Sequence, residues 1–261
     1  MLVSLLTSRR YFEITNACLR GATYTTALAS YYDLRYFYFD DKDVGHYTCG
    51  FVFQVMISLL RQRPDVVLYG QEWYSAVKKC KNPVVQGFLS EQICLSAIGR
   101  HGLKALDPSL GPMYTTIFEG VPVWDAFLQT GEKSRLFLPK PFNFKAIDGV
   151  ILQVDHKKKS ALLYPIQITL SLKERDSADV FYTDMWGDWI EPMTEKGYNV
   201  NSIFIFIDLK QPSDEPKPSG TRRGRSSGKK PKLDGGFSVV HLGIQQVDSE
   251  LASAIEHRSR T

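Results

Sequence analysis

Along the second half of this chain, three successive segments are rich in apolar residues, "SRLFLP" (134–139), "KAIDGVILQV" (145–154) and "ALLYPIQITL" (161–170), and apolar and polar positions alternate with a period of two through "YPIQITLSLK" (164–173). Each reads as a strand, and the short polar turn "DHKKKS" joins the last two as a hairpin. A fourth segment, "NSIFIFIDL" (201–209), is almost continuously apolar, the pattern of a strand buried on both faces. Before the three strands, Phe88, Ile93, Leu95 and Ile98 line one side of a predicted helix from Val84 to Ile98, with Gly99 expected to stop it. After them, "YTDMWGDWIEPMTEKG" predicts a second helix ending near Gly197, with Gly187 and Pro192 blurring its limits and Trp186 and Trp189 forming one apolar face. The order helix, three strands, helix, strand predicts a mixed α/β (α+β) module whose four-stranded mixed sheet is flanked by helices.

Around this module, at 86–209, the chain divides into three further parts. Residues 1–85 read as a mostly helical region, with "YYDLRYFYFDDKDVGHYTCGF" as a strand or hairpin in its middle. Residues 210–236 are dense in Pro, Gly and Ser, offer little apolar surface to offset the entropy of ordering, and read as a disordered basic linker. Residues 237–261 read as a returning strand followed by a short helix opened by Asp248 or Ser249.

Composition narrows the picture. With 43% hydrophobic and 12% aromatic residues the chain can fill a core. Its longest apolar run, Gly50 to Leu60, is too short to span a bilayer, so no membrane segment is expected. The N-terminus carries its arginines after the apolar patch, the reverse of a secretory leader, and four scattered cysteines form no Cys-x-x-Cys, so a reducing compartment is expected. Between Gln211 and Asp234 stand seven basic and three acidic residues, a surplus equal to the net +4 of the whole chain. Arg222, Arg223, Arg225, Lys229, Lys230 and Lys232 have the density of a nuclear-import signal and of a DNA tether, against a solvated spacer as the plainer reading.

The candidate chemistry sits in the hairpin. Asp148 on one strand and Gln167 and Thr169 on the next share a face, with Ile166, Ile168 and Leu170 on the other. A carboxylate and an amide oxygen converging there suit a hard cation such as Mg²⁺, with Asp148 and Gln167 as its ligands and Mn²⁺ as a substitute. Glu91, among apolar neighbours in the first helix, is placed either on a solvated stripe or toward the same cleft. The plainer readings are a turn at Asp148-Gly149 and a hydrogen-bonded buried amide at Gln167.

Glu on a helix, Asp on a strand and the triplet "QIT" on the next resemble the PD-(D/E)XK restriction-endonuclease-like superfamily. Together with "RYFYFDDKDVGHYTCGF", "GFLSEQICLSAIG" and "YPIQITLSLK", the pattern is similar to the C-terminal region of the Crinkler and retrotransposon-hot-spot family. That resemblance implies a restriction-endonuclease-like three-layer core, a metal-dependent DNA phosphodiesterase, a nuclear protein or one delivered to a host nucleus, and an ATPase domain or protein. No P-loop is present, so the ATPase would be supplied elsewhere. The resemblance gives Glu91, Asp148, Gln167 and Thr169 as site residues. Thr169 stands where such nucleases usually place Lys, and Lys173 is expected to supply the missing charge. The alternative is a catalytically degenerate nuclease fold that binds nucleic acid or a partner.

Overall fold

The computed structural model describes residues 37–39, 45–47, 70–79, 83–122, 124–140, 144–170, 176–208 and 238–259. They belong to two compact units, Met1–Ile93 with Ser253–Thr261, and Cys94–Ala252. In the first unit, β1 (Phe37–Phe39) and β2 (Gly45–Tyr47) pair antiparallel with Phe37 opposite Tyr47, so the aromatic stretch does contain a hairpin. Helix α1 (Gln71–Lys79) buries Trp73, Tyr74 and Val77, one face at helical spacing. The rest of the helical reading of 1–85 falls outside the described residues.

Helix α2 (Pro83–His101) begins in the first unit and ends in the second. Gly99 does not stop it. The helix ends at Gly102, whose φ of 80° is left-handed and whose N–H still reaches the Ile98 carbonyl at 2.8 Å. Gly99 is small for another reason: a Cβ there would stand 3.1 Å from Oγ1 of Thr115.

The second unit is built on a mixed sheet of six strands rather than four. In spatial order they are β3 (Tyr114–Phe118), β4 (Ser134–Pro139), β5 (Gly149–Asp155), β6 (Ser160–Thr169), β7 (Asn199–Asp208) and β8 (Ser238–Gly243). β5 runs antiparallel to both β4 and β6, while β3, β7 and β8 each pair in parallel with their inner neighbour. The two unexpected members are the edges. β3 is short and half exposed, so its five residues carry little alternation, and the returning strand becomes β8 by pairing with β7. A parallel pair needs a crossover, which residues 209–237 are long enough to provide.

The helices follow the strands: α3 (Trp124–Leu128), α4 (Ser177–Asp184), α5 (Trp186–Thr194), α6 (Ile244–Val247) and α7 (Ser249–Ser259). The single helix expected over 182–197 is two, parted at Met185, and Pro192 lies inside the second. Asp248 caps α7, its Oδ1 accepting the Leu251 N–H at 2.9 Å.

Both faces of the sheet are buried. Phe137, Val150, Leu152, Val154, Ala161, Leu163 and Phe204 pack against Trp124 of α3, Phe181 of α4 and Trp189 of α5. The rings meet edge-on, Phe181 at 5.3 Å from Trp189 and Phe118 at 5.5 Å. Trp124 Nε1 donates to the Trp189 carbonyl at 2.6 Å, which satisfies the one polar atom of that ring. On the opposite face, Leu95 of α2 lies so near that a Cβ on Gly149 would stand 3.1 Å from its Cδ2. Asp148-Gly149 is therefore a strand entry, not a turn: Gly149 pairs with Ile166, and the absent side chain admits the helix. The result is a mixed α/β unit, a six-stranded mixed sheet with helices packed on it.

Candidate functional site

The hairpin register brings Asp148 and Gln167 together. Gly149 opposes Ile166, so the residue before one faces the residue after the other, and the Asp148 N–H donates to the Ile166 carbonyl at 2.8 Å. Oδ2 of Asp148 then accepts two hydrogen bonds, from the Ile168 N–H at 2.7 Å and from Nε2 of Gln167 at 2.9 Å. Gln167 is 6% exposed and Asp148 is half-buried, so both are fixed by neighbours that leave little room for alternatives. The backbone just before them is unusual, because Ala146 adopts a left-handed φ of 69°. A non-glycine residue there costs about 1–2 kcal/mol, which the surrounding packing must offset.

Thr169, half-buried, ends β6 on the same face and lies in register with Asp208 of β7. Gln167 lies in register with Phe206, and Phe206 with His241 of β8. The polar row therefore extends past the hairpin to two residues that sequence reading missed, Asp208 and His241. Nδ1 of His241 stands 3.7 Å from Oδ2 of Asp208, and the imidazole stacks on Phe206 with ring centres 5.1 Å apart. Asp208 carried a signal, since it breaks the apolar run "IFIFID" at its last position, but the linker separates His241 from it in sequence.

Glu91 lies in the first unit, half-buried in mid-α2, where it accepts a 2.8 Å hydrogen bond from Nε2 of Gln92. Lys173 and the basic residues Arg222, Arg223, Arg225, Lys229, Lys230 and Lys232 lie outside the described residues.

The expected cation needs two oxygens from this pair, and the pair does not offer them. Gln167 turns its nitrogen to Asp148, and the carboxylate oxygen between them is already held by two N–H donors. The amide takes the place a cation would occupy, so the carboxylate is satisfied without one. Among the described residues, no group of three or more His, Cys, Asp or Glu is poised to hold a metal ion. A bound cation would require the Gln167 amide to turn over and expose Oε1.

No described helix is long and apolar enough to cross a membrane. No family model, no curated protein and no solved structure matches the chain.

Proposed function

We propose that the second unit is a restriction-endonuclease-like fold that binds nucleic acid and has lost its cutting chemistry. The observation that carries this reading is the hydrogen bond from Gln167 to Asp148. A glutamate at 167 would force two carboxylates together and demand a cation, whereas the amide satisfies the aspartate by itself. Thr169 agrees with this, since a hydroxyl cannot stabilise a phosphate as the usual lysine does. Support for the fold comes from the order α2, then after β3 and α3 the strands β4, β5 and β6, α4 with α5, and β7, which contains the helix, three strands, helix and strand expected from the patterning. DNA is the proposed ligand, and the basic residues Arg222 to Lys232 are proposed to direct the chain to a nucleus.

A second reading, a weak Mg²⁺-dependent DNA phosphodiesterase, is favoured by one observation: Asp148, Gln167 and Thr169 share one face at one end of the hairpin. Plasmid nicking with Mg²⁺, Mn²⁺ and chelator separates the two. The binding module predicts that the wild-type chain shifts duplex DNA but leaves it uncut under all three conditions. Metal-dependent nicking that rises in Thr169→Lys and vanishes in Asp148→Asn would establish the weak nuclease instead.

A further inference from the structure

At the end of the sheet away from Asp148, three segments converge: the loop before β4, the β5–β6 turn and the start of β7. The Val154 N–H donates to the Lys133 carbonyl at 2.7 Å, and the Asn199 N–H to the Lys159 carbonyl at 2.8 Å. His156 bridges the outer two, with Nδ1 at 3.0 Å from the Tyr198 hydroxyl and Nε2 at 3.0 Å from the Glu132 carbonyl. The turn itself is held, because Oδ1 of Asp155 accepts the N–H groups of Lys157 and Lys158, both at 3.0 Å, and Lys159 takes a left-handed φ of 51°. Those backbone bonds also keep the Asp155 carboxyl below its usual range, with the Lys158 N–H as the main cause.

The charges here are unequally matched. Glu132 is engaged by Arg135 at 2.6 Å, and Asp155 by its own turn and by Lys158 at 3.7 Å. Some lysines elsewhere in the unit sit on carboxylates, Lys140 on Glu119, Lys145 on Asp184 and Lys196 on Asp125. Lys133, Lys157 and Lys159 are exposed and form no close ion pair with a carboxylate among the described residues; the Lys157 charge adds only a lesser contribution at Asp155, and Lys159 lies over the Tyr198 ring at 4.5 Å.

We propose that Lys133, Lys157 and Lys159 form a phosphate-backbone contact for nucleic acid, separate from the Asp148 end. The proposal rests on the nucleic-acid reading above. It is separate because Asp148 and Asp155 lie seven residues apart along β5, about 24 Å at the rise of a strand. The held turn presents Lys157 and Lys159, and the loop tied to it through the Val154 N–H and His156 presents Lys133, so the backbone carrying the three cations is ordered in advance. A lipid surface fits less well, because the exposed large hydrophobics among the described residues, Tyr114 and Val121, are not in these segments to insert into it.

The test is fluorescence anisotropy of a labelled duplex against the full chain over a salt series, with vesicles of anionic lipid run in parallel. Replacing all three lysines by Gln should reduce the slope of log affinity against log salt by about 0.9 per phosphate contact removed, and replacement by Arg should preserve it. If the wild-type chain binds duplex and the Gln variant keeps its full slope, this contact is wrong and the nucleic-acid reading stands. If the wild-type chain binds no duplex at all, both fail. If the Gln variant loses vesicles but keeps duplex, the surface is a lipid contact and the proposal is overturned.

Discussion

Nε2 of Gln167 and Oδ2 of Asp148 lie 2.9 Å apart across the β5–β6 hairpin, donor to acceptor, and the same oxygen takes the Ile168 N–H at 2.7 Å. A motif that resembles a metal-binding pair is thus held by two hydrogen bonds to one carboxylate oxygen. The consequence is reciprocal: the pair of bonds that orders the strand entry is the feature that removes the need for a cation.

Gln167→Glu should expose this directly. With a second carboxylate against Asp148, the loss of the hydrogen bond and the added repulsion are expected to cost about 1–3 kcal/mol in chelator. Differential scanning fluorimetry should show a lowered midpoint that Mn²⁺ or Mg²⁺ partly restores, while the wild-type midpoint ignores both ions. Equal behaviour of the two proteins would mean that the amide is not standing in for a cation.

Asp148→Ala should not be a silent removal of one polar group. It strands the Ile168 N–H and the buried Gln167 amide, a loss of about 2 kcal/mol or more. Asp148→Asn keeps an acceptor and is expected to cost less. Urea denaturation of the three proteins measures the difference, and equal midpoints would deny these bonds their structural role.

The two glycines at the end of α2 should respond differently to alanine. At Gly102 a Cβ would fall 1.9 Å from the Leu110 carbonyl oxygen, in a left-handed backbone, so Gly102→Ala is expected to cost at least about 2 kcal/mol. At Gly99 a shift of a few tenths of an ångström at Thr115 admits the methyl group, and the gain in helix propensity of about 1 kcal/mol offsets that cost. Thermal midpoints of the two variants check the ranking.

Alkaline pH should weaken the second unit through two tyrosines. Burial pushes Tyr164 up to about 12, with the Asp107 charge adding to it, and burial likewise pushes Tyr182 up to about 12. A raised folded value means that the stabilisation is complete below the unfolded value near 10 and is lost as pH climbs from about 10 to 12. The hydroxyls are engaged, Tyr164 with Oε1 of Gln153 at 3.1 Å and Tyr182 with Oγ of Ser202 at 2.8 Å, so neutral pH favours the native tyrosines. A Tyr164→Phe, Tyr182→Phe double variant should lose less stability than the wild type between pH 10 and 12, as read from denaturant midpoints across that window.

Much of the module was legible in residue order. The strand 134–139, the hairpin about "DHKKKS" and the nearly continuous apolar run that became β7 each carry a local signal, and the register of the hairpin follows from its turn, so the meeting of Asp148 with Gln167 is legible in the sequence. Trp186 and Trp189 fell on one buried face for the same reason, that a helix repeats every few residues.

What the tertiary structure decided has no local period. β3 and β8 became sheet edges because a neighbour was there to pair with, and β8 arrives after 209–237 intervene, so nothing near it in sequence marks its partner. His241 joined Asp208 and Phe206 by that pairing alone. The stop of α2 moved from Gly99 to Gly102, since φ and not residue type selects the capping glycine. Above all, sequence placed an amide beside a carboxylate but could not say which end of the amide would face it. That choice belongs to the packing around Gln167, where a nitrogen donor costs nothing and a second oxygen would need a cation.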